Sequence, residues 1–345
     1  MGYRINRKVV INNRLKWIHA NTEQDYADKI IMIAMIPQTM ENSETVQKHI
    51  FGEYARTWFS LYSEPNIETV TAITYKRQIE KVLIPALGKM YIEDITTDQI
   101  QELFNSMAGT KSTKDKVKIV LNQILNAAVE DGIINKSPLK SSRLKINGES
   151  SKETKPYSVE QMQYIVQHIG EVKKENDRIL ISMLALHPLR LEEVLGLRFE
   201  DFDFERMQFT VNRAVTHPKR NKPEIKDTKT ESSHRTLTLS SIAADIIAEV
   251  GHKQGFILGG ECPYSYTQVR KACERIKKDI KFGENITPIR FRTTVLTDIY
   301  DQTKDIRLTQ QSGGHSTSAT TLKYYVKGRD SCDTSTRVID SLYLA

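Results

Sequence analysis

The sequence has few cysteines and no long hydrophobic run, and both absences exclude whole classes of protein. Its three cysteines, Cys262, Cys273 and Cys332, lie far apart and without metal-ligand spacing. We therefore expect neither a disulfide framework nor a zinc site, and a reducing cytoplasm is the natural compartment. The longest apolar stretch, residues 30–36, is far too short to cross a bilayer. No signal-peptide core is recognisable, and no membrane partner is expected.

Two patterns that enzymes use to handle phosphate groups are also missing. No cluster of carboxylates has the spacing of a two-metal site, and there is no glycine-rich phosphate-binding loop. We therefore expect neither a metal nor an organic cofactor. Chemistry on a phosphodiester would then need a nucleophile, cations for the charge on the phosphoryl oxygens and a proton donor for the leaving group, all from side chains.

Acidic residues are outnumbered by basic ones, and the imbalance is strongest at the start of the chain. The 345 residues include 50 Lys and Arg against 43 Asp and Glu, which gives a formal net charge of +7. That surplus suits a polyanionic partner such as nucleic acid. Residues 1–20 contain no acidic residue, and their basic residues are Arg4, Arg7, Lys8, Arg14 and Lys16.

Residues 1–37 are predicted to form a small β-hairpin backed by a helix. The Asn12-Asn13 pair tolerates the positive φ of a tight turn between two short strands. Helical spacing begins after Thr22 and ends at Pro37. We expect this domain to bind DNA through the five basic residues of residues 1–20. The alternative is an edge hairpin whose charges are merely solvated. The predicted strands are residues 8–11 and 14–18.

Residues 47–138 are predicted to form an all-α domain, a four-helix bundle. The second helix is expected to stop at Pro85, and a capping box of Thr96 and Gln99 opens the third. Lysines crowd the start of the fourth helix. Lys114 and Lys118 are predicted to contact DNA, although in isolation such a cluster is more often a solvated face than a binding surface. The four lysines are Lys111, Lys114, Lys116 and Lys118.

Residues 139–156 are basic and polar and are predicted to form a linker before a mixed α/β, mainly α, domain at residues 157–345. One interpretation is a flexible linker between two domains. The more specific hypothesis is a linker that follows a phosphate backbone between two DNA-contacting domains. Strands are predicted at residues 202–204, 207–211 and 235–239. Helices are predicted at residues 159–170, 176–187, 192–197, 240–251 and 266–279.

Arg190 lies at the end of an apolar run, where an unpaired arginine would be costly. Its guanidinium fork suits two phosphate oxygens better than an ammonium does. Glu193, three residues later, lies on the same side of a helix and would orient it. The alternative is a purely structural Arg–Glu pair.

A histidine and a tyrosine nine residues apart, His315 and Tyr324, complete a pattern near the end of the chain. Together with Arg190, this pattern resembles the tyrosine recombinases, the phage integrase family. The phrases PALGKMYIEDIT, AAVEDGIINKSP and LRFEDFDF are also similar to that family. The resemblance covers essentially the whole chain and implies a DNA-binding arm, a core-binding domain and a catalytic domain.

The resemblance also assigns roles to particular residues. Lys229, in a segment of type T-K-T-x-x-S-x-R, would lie on a hairpin tip and protonate the departing 5′-oxygen. Lys222 and Lys226 are its rivals. The segment that resembles T-P-H-x-L-R-H-T makes Arg292, and not Arg290, the second phosphate clamp.

The chain departs from the family pattern at several positions, including Thr293, where a second histidine is common, and Ser312-Gly313, which replaces more usual apolar residues. Ile289 stands where the family usually has a histidine that assists proton transfer, and isoleucine cannot do so. Pro188 replaces a usual glycine before Arg190. His315 would hydrogen-bond a non-bridging oxygen. Tyr324 would be the nucleophile, with Tyr325 as the rival, since adjacent helical residues differ by about 100°.

The function that the resemblance implies is site-specific recombination of DNA, as in the integration and excision of a phage or other mobile element. The partners would be double-stranded DNA attachment sites, a homotetramer on DNA, a host DNA-bending protein and an excisionase. The apolar C-terminal residues 336–344 would dock on a neighbouring protomer or in cis. The alternative is a DNA-binding accessory protein of the same fold that has lost strand cleavage. The arm-like N-terminus argues against a type IB topoisomerase.

Overall fold

A computed structural model describes residues 5–11, 14–34, 48–151, 153–219, 222–227, 234–250 and 254–325. The chain begins with two antiparallel strands, and Ile11 pairs with Arg14 beside the turn. The following helix packs on them and is capped where Asp25 N donates to the Thr22 hydroxyl at 3.0 Å. The predicted hairpin and its helix are confirmed. Their bounds are Ile5–Ile11 for β1, Arg14–Ala20 for β2 and Glu23–Ala34 for α1.

The described residues form two compact units. One consists of residues up to 66 together with residues 75–149, and the other of residues 67–74 together with residues 150 onward. No helix among the described residues is both long and apolar enough to cross a bilayer.

The stretch after residue 48 contains the four helical rods predicted from its apolar spacing. A π-helical turn, Phe59–Ser63, extends the first rod, and another, Ile79–Leu83, interrupts the second. Buried side chains such as Phe51, Ile100 and Leu121 fill the interior. The α-helices are α2 (Phe51–Trp58), α3 (Thr69–Gln78), α4 (Ile84–Leu87), α5 (Thr97–Ser106) and α6 (Lys111–Glu130).

The prediction that Pro85 ends the second helix is wrong. The helix continues through it to Leu87. In a regular α-helix the proline ring would clash with the carbonyl four residues earlier. Here the wide turn Ile79–Leu83 comes first, and Ile84 N donates to the Ile79 carbonyl five residues back. The carbonyls before Pro85 are therefore displaced, and the helix can accommodate the ring.

Lys114 has a structural role in α6. Its side chain is buried, and Nζ donates to the Phe104 carbonyl at 2.7 Å. Phe104 lies in the last turn of α5, where carbonyls have no partner within the helix. The ammonium therefore caps α5, and this geometry argues against the prediction that Lys114 contacts DNA. Lys118 is exposed on the same helix.

The second unit is mainly helical, as predicted, and carries two small antiparallel sheets. Its helices are α7 (Val159–Gln167), α8 (Glu175–Leu186), α9 (Leu191–Gly196), α10 (Ser241–Ala248), α11 (Tyr266–Asp279), α12 (Pro288–Thr303), α13 (Ile306–Gly313) and α14 (Ser318–Tyr325). Its strands are β3 (Phe202–Asp203), β4 (Gln208–Val211), β5 (Arg213–Lys219), β6 (Lys222–Asp227) and β7 (Arg235–Thr238). One sheet has the order β3-β4-β7, and β5 pairs only with β6.

Tyr157 links the first residues of this unit to α12. It is fully buried, its ring lies 5.0 Å from that of Phe291, and its amide donates to the Thr294 hydroxyl at 2.8 Å. Arg290 covers the ring at 3.9 Å and donates to the Lys155 carbonyl. This packing keeps α12 fixed against the helical core.

Candidate active site

Arg190 is placed by a tight turn between α8 and α9. Leu189 N donates to the His187 carbonyl at 2.8 Å, and Arg190 then caps α9. Glu193 reaches back to the Arg190 amide at 2.8 Å and accepts from its Nη1 at 2.7 Å. The predicted orientation of Arg190 by Glu193 is confirmed. The arginine side chain keeps 37% of its surface exposed, so a ligand can still reach it.

Three arginines converge on the buried carboxylate of Glu193. Arg235 donates to both of its oxygens, at 3.1 and 2.9 Å, and Arg292 Nη1 lies 3.8 Å away. We call Arg190, Arg235 and Arg292 the arginine cluster. Burial acts to raise the pKa of Glu193, but the hydrogen bonds from Arg235 and the charges of Arg235 and Arg190 outweigh it and lower the pKa. One carboxylate faces three guanidinium groups, which leaves a surplus of positive charge.

Arg292 is the arginine of its segment that joins the cluster. It lies on α12, is buried, and donates to the Pro188 carbonyl at 2.6 Å and to the Gly313 carbonyl. Arg290 instead covers the ring of the buried Tyr157 and pairs with Glu284. The choice of Arg292 over Arg290 therefore agrees with the geometry.

His315 follows two glycines at the end of α13. Gly314 has a φ of +59°, and a Cβ at Gly313 would lie 3.0 Å from the imidazole Cε1. The pair therefore lets the ring pack directly against the backbone. The Gly314 carbonyl accepts from Arg190 Nη2 at 3.0 Å, which brings Arg190 and His315 into one site.

The hydrogen bonds of His315 assign its protonation state. Nε2 lies 3.0 Å from Nη2 of Arg292, which can only donate, so Nε2 accepts. Nδ1 then carries the proton and donates to the Thr321 hydroxyl at 2.9 Å. Burial and the neighbouring charges of Arg292, Arg190 and Arg235 lower the pKa of His315 to about 4, which keeps the ring neutral.

Ile289 lies near the start of α12, and 58% of its surface is exposed. Its side chain therefore lies outside the packed core. Its carbonyl accepts from the Thr293 hydroxyl at 3.0 Å. The position therefore remains open to solvent or a ligand on the helix that carries Arg292.

Two of the predicted catalytic residues cannot be placed by their side chains. Lys229 lies outside the described residues, and Tyr324 is described only by its backbone in α14. The segment that contains Lys229 follows β6 and precedes β7, which belong to different sheets. The predicted place of Lys229 on a hairpin tip remains a prediction.

The basic residues predicted to bind DNA are placed unevenly. Arg7 is exposed but pairs with Glu23 at 2.8 Å, and Lys8 is exposed. Arg4 lies outside the described residues, and Arg14 and Lys16 are described only by their backbone in β2. The predicted role of these residues in DNA binding remains a prediction.

Sequence reasoning missed Arg235 and Thr321 as members of the site. Arg235 is the final residue of the T-K-T-x-x-S-x-R segment, and that match was the signal available. Thr321 is fully buried, and its only sequence signal is its place between His315 and Tyr324. No group of three or more His, Cys, Asp or Glu side chains among the described residues is placed to hold a metal. The surplus charge suits an anionic group instead.

Models of two protein families match the chain. The model described as the phage integrase family matches residues 157–331, and that described as the phage integrase N-terminal SAM-like domain matches residues 50–108. The integrase of Mycobacterium phage D29 is 24% identical over 216 residues, 62% of this chain and 55% of that integrase. The integrase of Staphylococcus phage L54a is 20% identical over 330 residues, 85% and 93% of the two chains. The chain thus spans about half the length of the D29 relative.

Two solved structures share the fold. The Tn1549 transposon integrase in complex with a circular intermediate DNA has a TM-score of 0.71 at 19% identity and covers 86% of this chain and 99% of its own. A lambda integrase dimer bound to a core site has a TM-score of 0.61 at 15% identity, and the match covers 90% of this chain and 87% of the lambda integrase chain. At these identities the likeness establishes the fold.

Proposed function

The chain belongs to the phage integrase family, and we propose that it is a site-specific DNA recombinase that cuts and rejoins DNA through a 3′-phosphotyrosyl intermediate. The observation that supports this most directly is the convergence of Arg190, Arg292 and His315 around buried Glu193. The helix α14, which carries Tyr324, joins the same site through the bond between Thr321 and His315.

In the proposed reaction, the Tyr324 oxygen attacks the scissile phosphorus and the 5′-oxygen of the next nucleotide leaves. The arginine cluster would neutralise the charge that builds on the non-bridging oxygens. Lys229 would supply the proton to the leaving oxygen. The energy of the phosphodiester bond is kept in the bond to Tyr324. A 5′-hydroxyl of a partner duplex can therefore displace the tyrosine without an external energy source.

The finer arrangement is also part of the proposal. Residues 1–37 would form the arm-binding domain, residues 47–138 the core-binding domain and residues 157–345 the catalytic domain. The partners would be double-stranded attachment sites, with strands exchanged in two rounds in a homotetramer. A host DNA-bending protein and an excisionase would assist the recombination. The reaction would take place in the cytoplasm. The exposed Ile289 is the feature that favours the second candidate, an accessory protein that binds DNA without cutting it.

The test uses nicked duplexes tiled across the DNA that flanks the chain's own gene. A nick near the cleavage site lets the leaving fragment diffuse away and traps a covalent adduct. We expect the wild type to form an adduct on some of these duplexes and Tyr324→Phe to form none while binding them nearly as well, because only the attacking oxygen is lost. Tyr325→Phe is the matched control and should have only a mild effect on adduct formation.

The opposite pattern, with the adduct kept in Tyr324→Phe and lost in Tyr325→Phe, would overturn the assignment of the nucleophile. A wild type that binds the duplexes but forms no adduct on any of them would favour the accessory protein.

A further inference from the structure

Thr321 anchors the helix that carries the proposed nucleophile. The side chains described in α14 are those of Ser318, Ala319, Thr321 and Leu322, and of these only that of Thr321 is buried. Its hydroxyl contacts His315 Nδ1 at 2.9 Å. The hydrogen bond therefore connects α14 to the residue that follows α13, one helical turn before Tyr324.

The role proposed for His315 requires a different proton position from the one that its hydrogen bonds assign. Nε2 now accepts from Arg292, and the proton is on Nδ1. A phosphate oxygen can only accept, so His315 must present an N–H to it. Nε2 is the ring nitrogen on the side of Arg292, and it must therefore carry a proton when the phosphate is bound and Arg292 turns a donor toward the anion.

A hydroxyl group can serve both states because it both donates and accepts. In the state observed, Thr321 accepts from Nδ1–H. In the phosphate-bound state the Nδ1 proton passes to water and Nε2 takes one proton from water, so the ring stays neutral. The Thr321 hydroxyl then rotates and donates to Nδ1. The exchange therefore requires no movement of Nδ1 or of the Thr321 oxygen.

We propose that Thr321 is a positioning residue for strand cleavage, whose hydroxyl holds the His315 ring in both tautomers and ties the helix of Tyr324 to the arginine cluster. The inference rests on the proposed function. The charged groups that face the ring are Arg292 from α12, Arg190 and Glu193 at α9, and Arg235 from β7. Burial and these arginines keep the pKa of His315 near 4 and so favour the neutral ring that a tautomer exchange requires.

The experiment compares three substitutions in the full chain. Thr321→Val keeps the shape and removes the hydroxyl, whereas Thr321→Ser keeps the hydroxyl. Thr309→Val is the matched control, because Thr309 is also fully buried and its hydroxyl donates to the Asp305 carbonyl at the start of α13, at 2.8 Å.

Two quantities are measured. Nitrogen chemical shifts of the His315 ring, assigned by their loss in His315→Gln, report the tautomer without DNA. Single-turnover adduct formation on a nicked duplex that the wild type cleaves reports the reaction. We expect the wild type and Thr321→Ser to show Nδ1–H, and Thr321→Val to shift toward Nε2–H. The adduct should form about 10- to 100-fold more slowly in Thr321→Val, and near the wild-type rate in the other two variants.

Several results would overturn the proposal. These are a wild type with Nε2–H, a Thr321→Val variant unchanged in both tautomer and rate, a Thr321→Ser variant as slow as Thr321→Val, and equal slowing by Thr309→Val. If Thr321→Val does not fold, the His315 tautomer and the rate of adduct formation in the wild type and in Thr321→Ser still test the proposal. A wild type that forms no adduct defeats the proposed function, whereas the nitrogen shifts still test the contact between Thr321 and His315.

Discussion

At the scale of single residues, the carboxylate of Glu193 holds the arginine cluster together. A buried charge is tolerated only when it is paired and hydrogen-bonded, and Glu193 meets both conditions through Arg190 and Arg235. Without it, three guanidinium groups in one place would repel each other. With it, enough positive charge remains for a phosphate, and Arg190 is already held in place before the ligand arrives.

Ile289 decides how complete the proposed catalytic set is. The residue is exposed on the helix that carries Arg292, so a larger polar side chain can extend toward solvent there. An isoleucine cannot assist proton transfer, and such assistance contributes roughly 10²–10⁴-fold where it is used. We therefore infer a slow recombinase that relies on the arginine cluster, His315 and Lys229.

We expect Ile289→His to raise the rate of adduct formation or leave it unchanged, because the exposed site accommodates an imidazole and the arginine cluster stays intact. The measurement is single-turnover adduct formation by both proteins on one nicked duplex. A wild type without adduct that the histidine restores would favour the accessory protein. A histidine variant far slower than the wild type would show that the segment is wrongly aligned with the family pattern.

At the scale of elements, α6 shows that one cluster of lysines can have two roles. Residues four apart lie on neighbouring positions of a helix, yet Lys114 is turned into the bundle and Lys118 is exposed. The difference comes from α5, whose end presents the unpaired Phe104 carbonyl to Lys114. Tertiary contact therefore separates a capping lysine from a lysine that is available to DNA.

We expect Lys114→Met to lower the free energy of unfolding by about 1–3 kcal/mol, because it leaves the Phe104 carbonyl without its partner. Lys118→Met, the matched variant, should leave stability nearly unchanged and make the salt dependence of DNA binding shallower by about one unit of slope. Urea unfolding and binding of a random-sequence duplex at several salt concentrations measure the two effects. Loss of DNA affinity in Lys114→Met at unchanged stability would instead support a direct contact between Lys114 and DNA.

At the scale of the whole molecule, the basic N-terminal residues are separated in sequence from the arginine cluster. This separation predicts that DNA binding by residues 1–37 and strand cleavage by residues 157–345 can be lost independently. Chains that neutralise several phosphates release as many counterions, so their affinity falls steeply with salt.

We expect deletion of residues 1–37 to weaken binding of long duplexes and to make the slope of log affinity against log salt shallower by up to about 4 units, because the five basic residues of residues 1–20 are lost. Adduct formation on a short nicked duplex should survive. Binding titrations at several salt concentrations and the adduct assay measure the two properties. A deleted chain that binds long duplexes as tightly as the full chain would refute the role of the arm.

Local patterns were enough to predict most of the elements. The hairpin β1–β2, the four helical rods and the capping box at Thr96 follow from turn residues, apolar spacing and side chains that bond within three positions. The continuation past Pro85 was missed because it depends on a wide helical turn. The hairpin β5–β6 was missed because its strands are basic and contain proline.

The candidate site could be predicted only as a set of residues. Arg190, Arg292 and His315 were found because each lies in a motif of its own, and Glu193 because it is one helical turn from Arg190. The partnership of Arg235 with Glu193, and that of Thr321 with His315, came only from the tertiary structure. Such partnerships, and the neutral state of His315, depend on the distance and burial of groups brought together from separate helices and strands, which a linear sequence does not specify.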